Sequence, residues 1–211
     1  MAPTLFAERL PSNAVMLSQT HRTLLLTTAW DSIRQGLETG TALQVDAGRC
    51  EAPLSEPGAS FVTLHKQDEL RGCIGSLQAF RPLLTDIAEN AFAAAFRDPR
   101  FAPLRAHELA DLTVDISVLS VPEPMSFNSE HDLLRQLRPH RDGVILQDGP
   151  QRGTFLPSVW EALPDAERFL QQLKLKAGLA PDHWSDTIRA WRYSTECFGG
   201  DNSRSAPAST R

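Results

Sequence analysis

Cysteine is scarce in this chain of 211 residues, and the little there is does not pair. Cys50, Cys73 and Cys197 are odd in number, far apart and never in a C-x-x-C spacing, which speaks against a disulfide framework and against a zinc knuckle. The six histidines, His21, His65, His107, His131, His140 and His183, form no H-x-x-x-H or similar ligand pair, so no metal site is expected. No run approaches the ~18 apolar residues of a membrane span. The opening MAPTLFAERLPSNAV lacks the apolar centre of a secretory signal. There is no serine in a G-x-S-x-G elbow, no P-loop, and no G-x-G-x-x-G after a strand, so the common hydrolase and nucleotide signatures are absent. These absences together predict a reduced, cytoplasmic protein with no metal, no cofactor and no membrane association.

What is present is the composition of an ordinary globular chain, 41 % hydrophobic and 22 % charged, of a length that suits one domain or two small ones sharing a core. Twenty-one basic against twenty-six acidic residues leave a formal charge of -5, which argues against a general nucleic-acid-binding surface.

Along the chain, residues 1–17 read as a loose N-terminal arm. From Ser18, apolar residues at Leu24, Leu25, Ala29, Trp30, Ile33 and Leu37 recur at three- and four-residue steps, predicting a helix that stops at Gly40. Residues 46–60 are rich in Gly, Pro and Ser and read as a loop. FVTLHK (61–66) and LRGCIGSL (70–77) read as a hairpin joined by QDE. Pro82 opens a second helix that ends in the turn DPRF (98–101). DLTVDISVLSV (111–121) is a strand, EHDLLRQL a short helix, and GVILQ with RGTFLP a second hairpin. DAERFLQQLKLKAG is an amphipathic helix capped by Gly178, and TIRAWRYSTECF (187–198) is one last strand. Residues 200–211 have nothing to bury and read as a disordered tail. Hairpins imply antiparallel pairing, so the predicted class is α+β over residues 18–199.

The stretch RGCIG (71–75) is the informative one, because packing alone does not ask for an arginine, a cysteine and two glycines in a strand. Side chains alternate along strands. With an odd-numbered connecting loop, Val62, Leu64, Leu70 and Ile74 form the core face, and Thr63, His65, Arg71 and Cys73 gather on the other. Gly72 and Gly75 leave the backbone bare for a bulge or for the close approach of another group. A cationic neighbour stabilises thiolate over thiol, so Arg71, Cys73 and His65 would bring a fixed cation, a nucleophile and a candidate base together. The plain alternative stays open: free cysteine often packs as a small hydrophobe. GCIG is not the GxxG clamp of KH domains, which lies between helices and carries basic residues.

Arg97, Arg100 and Arg105 flank DPRF, where arginine offers a rigid fork to a carboxylate or phosphate; beside Arg71, Arg100 would complete an anion clamp. Gly153, after the second hairpin turn, reads as structural or as space for a ligand. Trp160, Trp184 and Trp191 read as core or interface residues.

The ordered set FVTLHK, LRGCIGSL, AAAFRDPRF, ISVLSVPEP, RGTFLP and KAGL resembles the AMMECR domain family, known in prokaryotes as protein A of the AmmeMemoRadiSam system. The resemblance runs over about residues 20–198 and has RGCIG as its hallmark. It implies an α+β fold of antiparallel sheets flanked by helices, in two subdomains with a cleft between them, and a site lined by the RGCIG strand. It also implies two partners, a Memo-like protein and a radical-SAM protein. Thr63, Arg71, Gly72, Gly75 and Arg100 are then the candidate ligand-binding residues for a small anionic molecule, with Cys73 and His65 as candidate catalytic residues. The chain departs from the family pattern at Asp68, where the turn commonly has glycine, at Ser158, where Gln or Glu is common, and at Lys174, often a cysteine in prokaryotic members. A mechanism that pairs Cys73 with a cysteine at position 174 is therefore closed to this chain. Two functions follow as expectations: an accessory, ligand-binding protein, or an enzyme using Cys73 as nucleophile or redox thiol.

Overall fold

Ser18 starts the first helix and Gly40 stops it, as expected. In α1 (Gln19–Thr39) the Ser18 hydroxyl accepts from the His21 amide, and the His21 side chain accepts in return from the Ser18 amide. Gly40 takes the left-handed conformation, φ 73°, that a side chain resists. The computed structural model describes residues 17–200. Apart from Leu17, which is buried in the core, and Gly200, the expected arm and tail lie outside the described residues.

The described chain divides into two units. The larger holds α1, β1 (Pro57–Lys66), β2 (Glu69–Gly75), β3 (Arg81–Pro82), α2 (Leu83–Phe96), β4 (Leu112–Leu119) and, from the far end of the chain, β9 (Thr195–Gly200). Its sheet has the order β2-β1-β4-β9, with β3 beside the start of β1. Val62, Leu64, Val114, Ile116 and Val118 from the sheet pack with Leu25, Ile33, Ile87 and Ala91 from the helices. The smaller unit holds β5 (Glu123–Pro124), α3 (Glu130–Gln136), β6 (Gly143–Asp148), β7 (Gln151–Phe155), α4 (Ala166–Ala177) and β8 (Arg189–Tyr193). Its antiparallel sheet has the order β5-β8-β6-β7. Val144, Leu146, Trp160, Phe169 and Leu173 form a separate core, with Trp160 stacked on Phe169 at 3.8 Å between ring centroids. Trp184 and Trp191 are only half-buried. The class is α+β with antiparallel sheets flanked by helices.

Two boundaries differ from the sequence reading. β1 begins at Pro57, inside the expected loop, because Pro57 and Gly58 pair with Pro82 and Arg81, and Ala59 pairs with Leu119. Tertiary pairing here overrides poor local strand propensity. The expected last strand is two strands, β8 and β9, one in each sheet. They break at Ser194, whose carbonyl accepts from the Ser120 amide and whose amide donates to the Ser120 hydroxyl.

The hairpin loop also differs. It has two residues, Gln67 and Asp68, with φ of 52° and 66°, not three. That length would reverse the faces of β2, yet the faces of Gly72, Cys73 and Ile74 come out as expected. The reason is a bulge: His65 pairs with Leu70, Leu64 pairs with Gly72, and Arg71 is the extra residue that restores parity. Only Leu70, before the bulge, leaves the expected core face, and it is exposed. Both turn residues sit in a conformation that favours Asn and Gly. Replacing Gln67-Asp68 by Asn-Gly is therefore expected to raise unfolding free energy by about 1 kcal/mol, read as a higher urea midpoint with an unchanged slope.

Candidate functional site

β2 lies at the edge of the larger sheet, and its outer edge is held by side chains. The Cys73 amide donates to Asp98 Oδ2 at 2.9 Å, and the Cys73 carbonyl accepts from Arg100 Nη2 at 3.2 Å. Asp98 and Arg100 come from the DPRF turn after α2 and grip each other through two further bonds, Nε to Oδ1 at 2.9 Å and Nη2 to Oδ2 at 2.6 Å. Asp98 is buried, and the Arg100 guanidinium holds its carboxyl well below the usual carboxylate range. Asp98 also accepts from the Arg100 amide, so it caps its own turn as expected, and it does more besides.

Arg71 goes elsewhere. Its Nε and Nη2 donate to the two carboxylate oxygens of Glu108, at 2.9 and 3.1 Å, and Nη2 also donates to the Ala102 carbonyl at 3.0 Å. Its Nη1 is buried without a partner, and the side chain is only 13 % exposed. Glu108 lies in the 3-10 turn Ala106–Asp111 and caps it by accepting from the Arg105 amide at 3.0 Å. The Arg71 guanidinium holds the Glu108 carboxyl down at about 2. Arg97 lies over the Phe92 ring, 4.8 Å from its centroid, so the three arginines around DPRF do not converge on one point.

The glycines serve close approach, and the approaching groups belong to the protein. A Cβ on Gly72 would stand 2.2 Å from the Ala94 carbonyl oxygen of α2, and one on Gly75 would stand 2.3 Å from the Phe61 ring. Gly153 likewise admits the backbone of Ala177, at 2.8 Å. The space beside each of these glycines is already filled.

That accounts for most of RGCIG and leaves the Cys73 side chain. It points to the sheet face away from the helices, where Thr63 is its register partner and donates its hydroxyl to the sulfur at 3.3 Å. His65 is on the same face and bonds to Asp115 Oδ2 through Nδ1 at 3.1 Å, both side chains part-exposed. No hydrogen bond joins the imidazole, or Arg71, to the thiol. The cation placed next to Cys73 is Arg100. It uses three of its five N–H donors on Asp98 and on the Cys73 carbonyl, and its side chain is 53 % exposed. Among the described residues no group of His, Cys, Asp and Glu could hold a metal ion, and no helix is long and apolar enough to cross a membrane.

Two partners escaped the sequence reading, Glu108 and Asp115. Asp115 leaves a weak trace as an acidic residue at an outward position of an alternating strand. Glu108 leaves only its spacing of three from Arg105, a capping pattern.

A family model, AMMECR1, matches residues 26–198 of the chain. A protein of Methanothermobacter thermautotrophicus is 42 % identical over 147 residues, which span 67 % of this chain and 74 % of that protein. A protein of Thermotoga maritima is 39 % identical over 161 residues, spanning 75 % of this chain and 87 % of that one. The crystal structure of an uncharacterised protein from Pyrococcus horikoshii has the same fold, with a TM-score of 0.72 and 32 % identity over 86 % of this chain and 92 % of that one. Motif order, fold and overall similarity agree, and the chain belongs to the AMMECR1 family.

Proposed function

We propose that this protein is an accessory, ligand-binding component that acts with a Memo-like protein and a radical-SAM protein, the partners implied by the resemblance. Its ligand is a small anion held against Cys73. The reading rests on one observation: Arg100 is fixed beside Cys73 by a buried carboxylate and keeps two N–H donors and half its surface free. A cation so pre-positioned loses little side-chain freedom when it binds a carboxylate or phosphate. Thr63 and the His65–Asp115 pair supply further polar contacts on the same face. Arg71, with its remaining donors buried, serves as an anchor for residues 102–108, and Gly72 and Gly75 serve packing.

The second reading is an enzyme with Cys73 as nucleophile or redox thiol and His65 as acid/base. The His65–Asp115 pair favours it, since a carboxylate orients an imidazole for proton transfer. It ranks lower because the sulfur is bonded to Thr63 rather than to the imidazole.

The test compares two alkylating agents that differ in charge. Iodoacetate is anionic and iodoacetamide neutral, and Cys197, which is exposed, serves as internal reference. The iodoacetate-to-iodoacetamide rate ratio at Cys73 is expected to exceed that at Cys197 by about threefold or more at low salt, and inorganic phosphate should slow Cys73 selectively. Equal ratios without phosphate protection would remove the anion from the proposal.

A further inference from the structure

β5 is an edge strand of the smaller sheet and follows β8 for only two register pairs, Glu123 with Arg192 and Pro124 with Trp191. One more bond, from the Met125 amide to the Ala190 carbonyl at 2.9 Å, completes the contact, and the segments then part. Phe127 packs against Trp184, 5.8 Å between ring centroids, and Gln136 Nε2 donates to the Ser126 carbonyl at 2.9 Å. Both contacts draw the chain after Pro124 away from β8. The wedge that opens between residues 124–127 and 188–191 is a cavity of about 360 Å³, within the roughly 300–1,000 Å³ range of small-molecule sites.

The chemistry of the wedge is one-sided. Met125, Phe127, Ile188 and Trp191 give it apolar and aromatic walls, and Arg189 is the sole charged residue among those that line it. Arg192, by contrast, already faces a carboxylate, Glu123 Oε2 at 3.6 Å. Arg189 is exposed and has no such partner among the described residues. Its cross-strand neighbour on β6 is Gln147, whose partner on β7 is Arg152, also exposed and without a carboxylate. Three strands at roughly 4.8 Å spacing put the two arginine backbones about 10 Å apart on one face. A single exposed arginine is ordinary. A free one at the mouth of an aromatic-walled cavity with no acidic lining, with a second free arginine in its own cross-strand row, is charge complementarity for an anion with an apolar body.

We infer that this wedge binds a small organic anion, with an aromatic or alkyl body against Trp191, Met125 and Phe127 and a carboxylate or phosphate on Arg189. The site lies wholly in the smaller unit and does not depend on the reading of Cys73.

The probe is 1-anilinonaphthalene-8-sulfonate, an aromatic anion that fluoresces in apolar surroundings, titrated into the full chain. Saturable binding at one site is expected. Arg189→Gln, checked for an unchanged circular dichroism spectrum, should weaken it about tenfold or more, because a charge-assisted bond is lost. Benzoate or phenyl phosphate should displace the probe, the stronger of the two naming the head group, while benzyl alcohol should not. Prior alkylation of Cys73 should leave the affinity as it was. Non-saturable binding, an unchanged affinity in Arg189→Gln, or equal displacement by benzyl alcohol would overturn the proposal. Loss of binding on Cys73 alkylation would place the probe at the other site and overturn it equally.

Discussion

Gly72→Ala is expected to lower the unfolding free energy by about 3 kcal/mol, the upper part of the usual range for forcing a methyl group into a packed interior. The added Cβ would stand 2.2 Å from the carbonyl oxygen of Ala94, and this neighbour is backbone in the last turns of α2, not the tip of a side chain that could swing aside. Either β2 or the end of α2 must therefore move. The DPRF turn follows directly, so any such movement also pulls Asp98 from the Cys73 amide and strains the bond at 2.9 Å. Equilibrium urea unfolding reads the change, with Cys73→Ser one residue away as the comparison; that variant alters a part-exposed side chain and should stay within about 1 kcal/mol. Equal midpoints for Gly72→Ala and Cys73→Ser would mean that RGCIG is not a packing device, and its glycines would return to the list of ligand contacts.

Separating Arg71 from Glu108 is expected to cost as much. Both side chains are nearly buried, 13 % and 11 % exposed, and joined by two parallel bonds. Removing Glu108 leaves the nearly buried Arg71 guanidinium without a counter-ion, and removing Arg71 leaves Glu108 only the longer contact to Lys66 Nζ at 3.5 Å; breaking such a pair typically costs about 3–5 kcal/mol. Arg71→Met and Glu108→Gln should each destabilise by about 3 kcal/mol, while the pair Arg71→Met with Glu108→Met should fall well short of the sum, since an apolar pair of similar bulk leaves no orphan charge. Additive losses would show that the two residues do not act as a pair. The pH dependence has a defined sign. The Glu108 carboxyl is depressed, chiefly by Arg71, from its ordinary 4.5 to about 2. Its contribution is therefore complete above about 4.5 and is lost as pH falls through about 2. The wild-type chain should lose stability across that window more steeply than Glu108→Gln, which has no carboxylate there to protonate.

Where sequence reading worked, it worked from local chemistry. Ser18 and Gly40 mark α1 because capping depends on the few residues around each end. β4 is legible because alternation needs only one buried face. The faces of Thr63, Cys73, Val62 and Ile74 were legible too, although the loop between the strands was not: the glycines allow a bulge and Asp68 stands where glycine is common, but the polar QDE does not say that the loop has two residues or that Arg71 is the one that bulges. What stayed hidden is what long-range pairing decides. Arg71 reads in the sequence as the cation beside Cys73 and as a contact for an anionic ligand, and the fold pairs it instead with Glu108, 37 positions away. His65 found Asp115, 50 positions away. The split of the last strand at Ser194 is of the same kind, since TIRAWRYSTECF has no local break strong enough to announce a change of sheet. The candidate site was accordingly half legible: Cys73, Thr63 and Arg100 stand together, while Arg71 left the group for a reason that only the folded chain contains.

One feature of the connectivity bears on how the molecule is made. The larger sheet takes β9 from residues 195–200, yet every other described element of that unit lies before residue 120. On a ribosome, which adds roughly 5–20 residues per second, β4 waits on the order of 4–15 s for its neighbour while residues 120–194 emerge. The intervening stretch is continuous and carries its own core, so it can finish folding before the unit that encloses it in sequence. Vectorial synthesis thus favours an inside-out order of completion, in which β9, made after the whole of the smaller unit, closes a sheet that was started before it.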